Sequence, residues 1–305
     1  MIEINNSFDD LFAANGGNTA DNINTASTPF DKEAWAERKQ QERADVYALV
    51  DEGTEAIASS PEHFKAYLDV QARFDRYSVT NAILIAKQMP DATRLADFDT
   101  WKAANMNIKK GESSISIFEP GKEFTRDDGT TGINVNVKKV FDVSQTTAKP
   151  TPEAPKPDAR TAIKALISVS PCPVKMDNER VGNRSCAYDP AEKVIFIKKG
   201  MDGNDILRVL TQEVAAAKFA EKGMDRRSCA FYTYCSSYVL GERFGFDTGK
   251  YDFDRVPEHL KGMEPKEIRS QLAAIRDMAN SISQDMTRAI DNLEKSNKVR
   301  TGDAR

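Results

Sequence analysis

Histidine and cysteine, which often bind metals or act as nucleophiles, are scarce in this chain: it has two histidines and four cysteines. Each histidine follows a Pro-Glu pair, a context that predicts a surface loop or helix start for His63 and His259 rather than a metal ligand. Cys229 and Cys235 are almost two helical turns apart and are poorly placed to bind one metal together. The four cysteines form no CxxC pair, so we predict reduced thiols. These residue types favour neither a bound metal nor a cofactor.

The chain has 305 residues, of which 40% are hydrophobic. A chain of this length can form two modest cores. No stretch approaches the roughly 18 consecutive apolar residues of a membrane span, and the first residues lack the basic start and apolar run of a signal peptide. We therefore expect a soluble, cytoplasmic protein with no membrane partner. Its 43 basic and 47 acidic residues nearly balance, so any nucleic-acid site must be a local patch.

Two changes in composition divide the chain. Residues 1–30 are rich in Asn, Asp, Gly, Ser and Thr, which predicts a disordered tail. Residues 146–160 contain several prolines among small and charged residues, which predicts an extended linker. We therefore expect a first domain at 31–145, a second domain at 161–298 and a flexible tail at 299–305.

The first predicted domain combines helices with a small antiparallel sheet. Its first part is rich in charged residues and alanine, as long helices are, and its later part alternates polar and apolar residues, as half-buried strands do. The predicted elements are helices at 31–59 and 77–88, strands at 114–118 and 133–137, and a turn at 127–129.

The second predicted domain also mixes helices and strands. Its last helix has an apolar residue every three or four positions from Ile268 to Leu293, and such a stripe favours a packing face over a binding surface. The predicted elements are a short helix at 162–167, strands at 173–176 and 194–197, and helices at 204–222, 227–244 and 264–295. The fold class is therefore predicted to be α+β, with N-terminal helices and a small antiparallel sheet, a linker, and an α+β domain with a long C-terminal helix.

An ordered series of motifs extends over about seventy positions of the first predicted domain. Its segments are Arg73–Asn81, Gln88–Thr93, Phe98–Trp101, Lys109–Glu112, Ile115–Pro120 and a closing strand at Val140–Thr146. In this order they resemble the N-terminal domain of the ArdC/LtrC-like antirestriction proteins. The resemblance implies a protein encoded on a mobile genetic element.

The same resemblance implies that the first domain binds single-stranded DNA. Flexible single strands are held by cations along the phosphates and by aromatic faces on which unpaired bases stack. Tyr77 and Trp101 could instead be core aromatics, and a basic pair at a turn, such as Lys109-Lys110, is usually just solvated. The candidate DNA-binding residues are the cations Arg73, Arg76, Lys109, Lys110, Lys138 and Lys139, the aromatics Tyr77 and Trp101, and the amides Asn81 and Gln88.

The segment Gly200–Lys218 is similar to the zincin-like second half of LtrC-type proteins, in which a helix carries an HExxH motif. Two histidines of that motif bind zinc, and its glutamate polarises the zinc-bound water. The resemblance places Gln212 and Ala216 at the histidine positions and Tyr234 at the third ligand, while Glu213 persists. Because alanine has no donor atom and an amide oxygen is a poor zinc ligand, we expect a catalytically dead pseudopeptidase. We expect Glu213 to be a buried carboxylate hydrogen-bonded by Gln212 or Tyr234.

Three functions remain open at this point. The first is a single-stranded-DNA-binding accessory protein of antirestriction type, whose second domain is a scaffold or docking surface for a protein partner. The second is an interaction protein, a scaffold or inhibitor, that acts through the zincin-like groove or the last helix. The third is a residual metal-dependent hydrolase, which the missing ligands disfavour.

Overall fold

The computed structural model of the chain, which describes residues 31–125, 129–149 and 155–302, has the predicted α+β fold. The predicted tail at 1–30 and the middle of the proline-rich linker lie outside the described residues. So do two of the three residues of the predicted turn at 127–129.

The first half consists of four helices and three strands. The helices α2, α3 and α4 each begin after a serine or aspartate whose side chain accepts a backbone N–H of the first turn, the usual way to satisfy a helix start. The elements are α1 (Lys32–Ser59), α2 (Pro61–Arg73), α3 (Val79–Gln88), β1 (Leu95–Ala96), α4 (Phe98–Ala103), β2 (Ile115–Thr125) and β3 (Thr131–Asp142).

The three strands form one antiparallel sheet in the order β1-β3-β2, so β2 lies at an edge. In the register of β2 and β3, Ile115 is opposite Val140 and Phe118 is opposite Val137. The ladder is irregular between Pro120 and Glu123. The helix α3 packs against β2 and covers its free edge.

Most predicted elements of this half are confirmed, with four differences. The structure adds α2, α4 and β1, which were not predicted. The closing strand predicted to reach Thr146 ends at Asp142, followed by a short 3₁₀ helix at Val143–Gln145. The strand stops there because the Asp142 carboxylate accepts N–H groups from Thr93, Arg94 and Ser144, which turns the chain.

The second half places helices around a small mixed sheet. Its strands have the order β4-β6-β5, with β4 parallel and β5 antiparallel to β6. The predicted helices and strands are confirmed, and α6, β5 and α9 are additions. The elements are α5 (Ala159–Ser168), β4 (Val174–Met176), α6 (Asn178–Val181), β5 (Cys186–Asp189), β6 (Val194–Ile197), α7 (Gly203–Glu221), α8 (Ala230–Phe244), α9 (Val256–Leu260) and α10 (Pro265–Gly302).

Residues on both sides of the proline-rich linker share one hydrophobic core. The buried aromatics Tyr67 of α2 and Tyr238 of α8 belong to the same cluster, and α2 packs on α8. Arg243 of α8 donates hydrogen bonds to the carbonyl oxygens of Gln71 (2.9 Å) and Ala72 (3.1 Å). From Gln41 onward the chain forms one compact unit, and the first turns of α1 form another. The domain boundary at the linker therefore stays a prediction.

Among the described residues, no helix combines the length and the apolar character needed to cross a membrane.

Candidate nucleic-acid cleft and the Glu213 site

An open cleft of about 730 Å³ lies between the start of α3 and the sheet of the first half. Of the ten predicted DNA-binding residues, four line it: Arg76, Tyr77, Asn81 and Lys138. The sheet wall is built by the middle of β2 and by β3. The structure thus brings one cation and one aromatic from the α2–α3 turn next to one cation from a strand.

Arg76 and Tyr77 occupy the turn before α3. Arg76 is exposed, and no ion-pair or hydrogen-bond partner for its guanidinium occurs in the described part of the chain. Tyr77 is half-buried, and its ring meets the Phe74 ring edge-on with centroids 5.5 Å apart. Burial raises the pKa of the Tyr77 phenol, and Lys138 offsets part of that rise. The cleft therefore combines a cation available to an anionic ligand with a partly open aromatic ring.

Lys138 reaches the cleft from β3 and pairs with two carboxylates. Its Nζ lies 2.8 Å from the Asp97 carboxylate and 3.4 Å from that of Glu119. The hydrogen bond from Lys138 holds the pKa of Asp97 well below its usual range, and the same bond raises the pKa of Lys138. Solvent screens these ion pairs in part, because the three side chains are 31–42% exposed. Lys138 therefore has one close carboxylate partner, Asp97, and one more distant partner, Glu119.

Two aromatic residues that sequence reasoning missed lie at the same site. Phe118 of β2 lines the cleft, and the Tyr47 ring of α1 lies against it with centroids 4.6 Å apart. Tyr47 is 48% exposed. Neighbouring strand residues point to opposite faces, so the Phe118 ring lies on the face away from Glu119. There it packs, together with Val137, against a hydrophobic cluster of Val46, Val50 and Leu84.

Asn81 and Gln88 satisfy the backbone of the edge strand β2. The Asn81 side-chain amide donates to the Phe118 carbonyl (2.8 Å) and accepts from its N–H (2.8 Å). Gln88 makes the same pair of bonds with Ser116, both at 2.9 Å. These amides, two helical turns apart on α3, make the backbone hydrogen bonds that a neighbouring strand would otherwise make on this side of β2. They are engaged in the fold and not available to read DNA bases.

Arg73 and Trp101 also have structural contacts. The Arg73 guanidinium donates to the carbonyl oxygens of Ala92 (2.9 Å) and Pro90. Trp101 is buried, its indole N–H donates to the Phe141 carbonyl (3.0 Å), and the Arg94 guanidinium covers its ring at 4.8 Å. Trp101 is thus a core aromatic, the alternative stated in the sequence analysis. It offers no free ring face on which a base could stack.

Three further predicted cations, like Arg73, lie outside the residues that line the cleft. The Lys109 ammonium donates to the Ser144 carbonyl (2.7 Å), and Lys139 donates to Ser116 Oγ (2.9 Å). Lys110 is exposed beside Gly111, whose φ of +87° makes the tight turn. A role for these three lysines in DNA binding stays a prediction.

Glu213 is buried, as predicted, but its predicted partners are wrong. Its carboxylate accepts a hydrogen bond from the Tyr188 N–H (2.9 Å) and two from the Arg226 guanidinium, at 2.8 Å and 3.3 Å. Burial lowers the pKa of Arg226, but the hydrogen bond and charge of Glu213 outweigh burial and leave it raised. Glu213 therefore joins α7 to β5 and to the loop before α8. The positive charge of Arg226 neutralises this buried carboxylate.

The other three positions of this site hold groups that are engaged or inert. The Gln212 amide donates to the carbonyl of Arg208 one turn earlier (3.2 Å), and Ala216 is buried. The Tyr234 hydroxyl accepts from the Asp252 N–H (2.7 Å). Within the described ranges, no cluster of three His, Cys, Asp or Glu side chains is arranged to hold a metal ion.

The two histidines lie where the sequence predicted helix starts or surface positions. His63 is exposed in the first turn of α2. His259 is exposed in α9, stacked on the Phe231 ring with centroids 4.1 Å apart. The four cysteines are free thiols, and burial with the nearby Glu213 charge raises the pKa of Cys186 to about 12. A thiol in that state is a poor nucleophile at neutral pH.

Residues 36–156 match the family model of the N-terminal domain of anti-restriction factor ArdC. Among solved structures, the Mn(II)-bound antirestriction ArdC protein from plasmid R388 has a TM-score of 0.54 at 15% identity, over 81% of this chain and 98% of that chain. Its metal-free form has a TM-score of 0.48 at 12% identity, over 70% of this chain and 86% of that chain. No curated protein sequence matches the chain.

The fold and the cleft define an α+β protein whose first half presents a mixed-charge, aromatic cleft on a small antiparallel sheet. The chain is similar to ArdC: its residues 36–156 match the family model of the ArdC N-terminal domain, and the Mn(II)-bound R388 protein shares its fold. The resemblance that the motifs between Arg73 and Thr146 indicated is thereby confirmed.

Proposed function

We propose that the chain is an antirestriction-like accessory protein of a mobile element and that it binds single-stranded DNA in the cleft. One observation carries the proposal: Arg76, a cation with no ion-pair partner among the described residues, and the half-exposed ring of Tyr77 line the same cleft of about 730 Å³. Cations on the phosphates and aromatic rings under the bases are the two contacts that hold unpaired strands.

The size of the cleft favours a single strand over a duplex. Its volume falls within the range of roughly 300–1,000 Å³ typical of pockets for small organic molecules, into which an unpaired nucleotide fits. In a duplex the base faces are stacked on one another and cannot reach Tyr77. The overall charge of −4 adds no general attraction for duplex DNA.

We expect Arg76→Ala to weaken binding of single-stranded DNA about fivefold, because one phosphate contact at an exposed site contributes about 1 kcal/mol. The salt slope should fall by about 0.7, the contribution of one phosphate contact on a single strand. Fluorescence anisotropy with a labelled oligonucleotide of about 20 nucleotides, at two salt concentrations, measures both quantities.

Lys164→Ala is the matched control, because Lys164 is an exposed cation on α5, away from the cleft. It should leave affinity unchanged. A wild-type protein that shows no salt-sensitive binding at micromolar concentration would contradict the proposal and favour the interaction-protein alternative. Equal or tighter binding of the matching duplex would contradict the preference for single strands.

The second half is proposed to be a pseudopeptidase, kept as a scaffold. The R388 relative is a Mn(II)-bound protein, whereas the residues that the family resemblance places at the ligand positions of this chain do not fit a metal. Ala216 has no donor, the Gln212 amide is bonded to its own helix, and the Tyr234 hydroxyl accepts a backbone N–H. Glu213, the residue that would activate a metal-bound water, is neutralised by Arg226.

Elemental analysis of protein purified without chelator should therefore find far less than one equivalent of zinc or manganese per chain. The physical reason is the loss of imidazole and carboxylate donors, which the retained side chains do not replace. Addition of Zn²⁺ or Mn²⁺ should likewise leave the thermal stability unchanged, since a metal stabilises a fold only if it binds the native state. Stoichiometric metal, or a clear stabilisation by it, would contradict the pseudopeptidase proposal.

A further inference from the structure

The cleft contains a carboxylate that its proposed cations do not require. Glu119 lies on the β2 wall, and its side chain is 42% exposed. In the described chain, the one cation within ion-pair distance of it is Lys138, at 3.4 Å. Asp97, the other acid of the cleft, differs: one of its oxygens accepts the Thr100 N–H and the other pairs with Lys138 at 2.8 Å. Glu119 therefore has more unused acceptor capacity than Asp97.

An acceptor-only group in a polyanion site has two physical effects. It repels phosphates, which weakens binding of every strand alike. It also accepts hydrogen bonds from the exocyclic amino groups of bases, as carboxylates do from the N4 amino group of cytosine. Thymine presents carbonyl oxygens where cytosine presents that amino group, so the same carboxylate disfavours thymine.

Tyr77 lines the cleft at the start of α3, and Glu119 lines its β2 wall. Lys138 acts on the Tyr77 phenol and lies 3.4 Å from the Glu119 carboxylate, so a base stacked on Tyr77 is near this carboxylate. Stacking on aromatic rings accepts any base, because every base has a π-face. Discrimination between bases must therefore come from a polar group at the edge of the stacked ring.

We propose that Glu119 determines base specificity in the cleft by accepting a hydrogen bond from an exocyclic amino group, so that the cleft prefers a strand with amino-bearing bases to a thymine strand. This inference rests on the proposed single-stranded-DNA binding. Lys138 remains on Asp97 when Glu119 turns to the base, so the cleft keeps its second cation.

The test compares oligo-dC with oligo-dT of equal length, which carry the same phosphate charge and the same class of base ring. The wild-type protein should bind oligo-dC about tenfold more tightly, the equivalent of 1.4 kcal/mol. Glu119→Gln should bring that ratio to about twofold or less, because glutamine both donates and accepts hydrogen bonds and no longer repels thymine carbonyls.

Glu123→Gln is the matched control, since Glu123 is an exposed acid on the same strand outside the cleft lining. It removes the same charge and should leave the dC/dT ratio at the wild-type value. Equal binding of the two strands by the wild-type protein, or an unchanged ratio in Glu119→Gln, would overturn the inference while the binding proposal stands. No binding of either strand would instead overturn the proposed function.

Discussion

Replacing Arg226 with methionine is expected to lower the free energy of unfolding by about 2–3 kcal/mol, because it leaves a buried, charged acceptor without its charged hydrogen-bond donor. The Glu213 carboxylate is buried, and Arg226 supplies both of its side-chain hydrogen bonds at 2.8 Å and 3.3 Å. Methionine keeps an unbranched chain but leaves this charge with the Tyr188 N–H alone. Urea unfolding followed by circular dichroism measures the loss.

Arg227→Met is the matched control for this substitution. Arg227 is the neighbouring residue, it is exposed, and its side chain makes no contact with Glu213. Its replacement should change stability by less than about 0.5 kcal/mol. An equal loss in both variants would show that Arg226 does not neutralise Glu213.

A double-mutant cycle with Glu213→Gln separates the pair from each single effect. The double variant should lose less stability than the sum of the two single variants, because a neutral amide no longer needs the guanidinium. Additive losses would contradict the assignment.

Asn81→Leu is expected to lower the free energy of unfolding by about 2–3 kcal/mol. The substitution leaves the N–H and the carbonyl oxygen of Phe118 without the two 2.8 Å bonds that Asn81 supplies, and each unsatisfied group costs about 1–3 kcal/mol. Because Phe118 forms a wall of the cleft, the same change should weaken binding of single-stranded DNA. Urea unfolding and anisotropy measure the two effects.

Asn292→Leu supplies the matched control on α10. Asn292 is an exposed helical asparagine, so the same chemical change should have little effect on stability there. If Asn81→Leu were as stable as this control, the side-chain amide would not be needed to close the edge of β2. Gln88→Leu should reproduce the loss at Ser116, where the second amide makes the same pair of bonds.

Much of the secondary structure could be predicted from sequence because it depends on local patterns. The apolar stripe of α10, the alternation around Ile115 and the proline that follows α3 each act over a few residues, and each predicted element formed. The helix α2 was missed although Ser60 and Pro61 mark its start. Its apolar residues, such as Tyr67, become a core only through α8, which is far away in sequence.

The residue types of the two sites were determined by the sequence itself. The motifs between Arg73 and Thr146 were sufficient to indicate the ArdC family, and the Gln212, Ala216 and Tyr234 positions were sufficient to predict a lost metal site. Neither conclusion needed a contact between distant residues, because a motif consists of residue identities in a fixed order and a missing donor atom is a property of one side chain.

Only the tertiary structure decided which of those residues remain available to a ligand. Asn81 and Phe118 are 37 positions apart, and Glu213 and Arg226 are 13 apart. Such pairs form where the folded chain crosses itself, and no local periodicity records them. The structure therefore moved Asn81 and Trp101 from a binding role to a structural one and added Phe118 and Glu119 to the cleft. It also showed that the partner of Glu213 is the Arg226 guanidinium. A buried carboxylate is unfavourable unless a hydrogen-bonded group of opposite charge lies next to it in the fold.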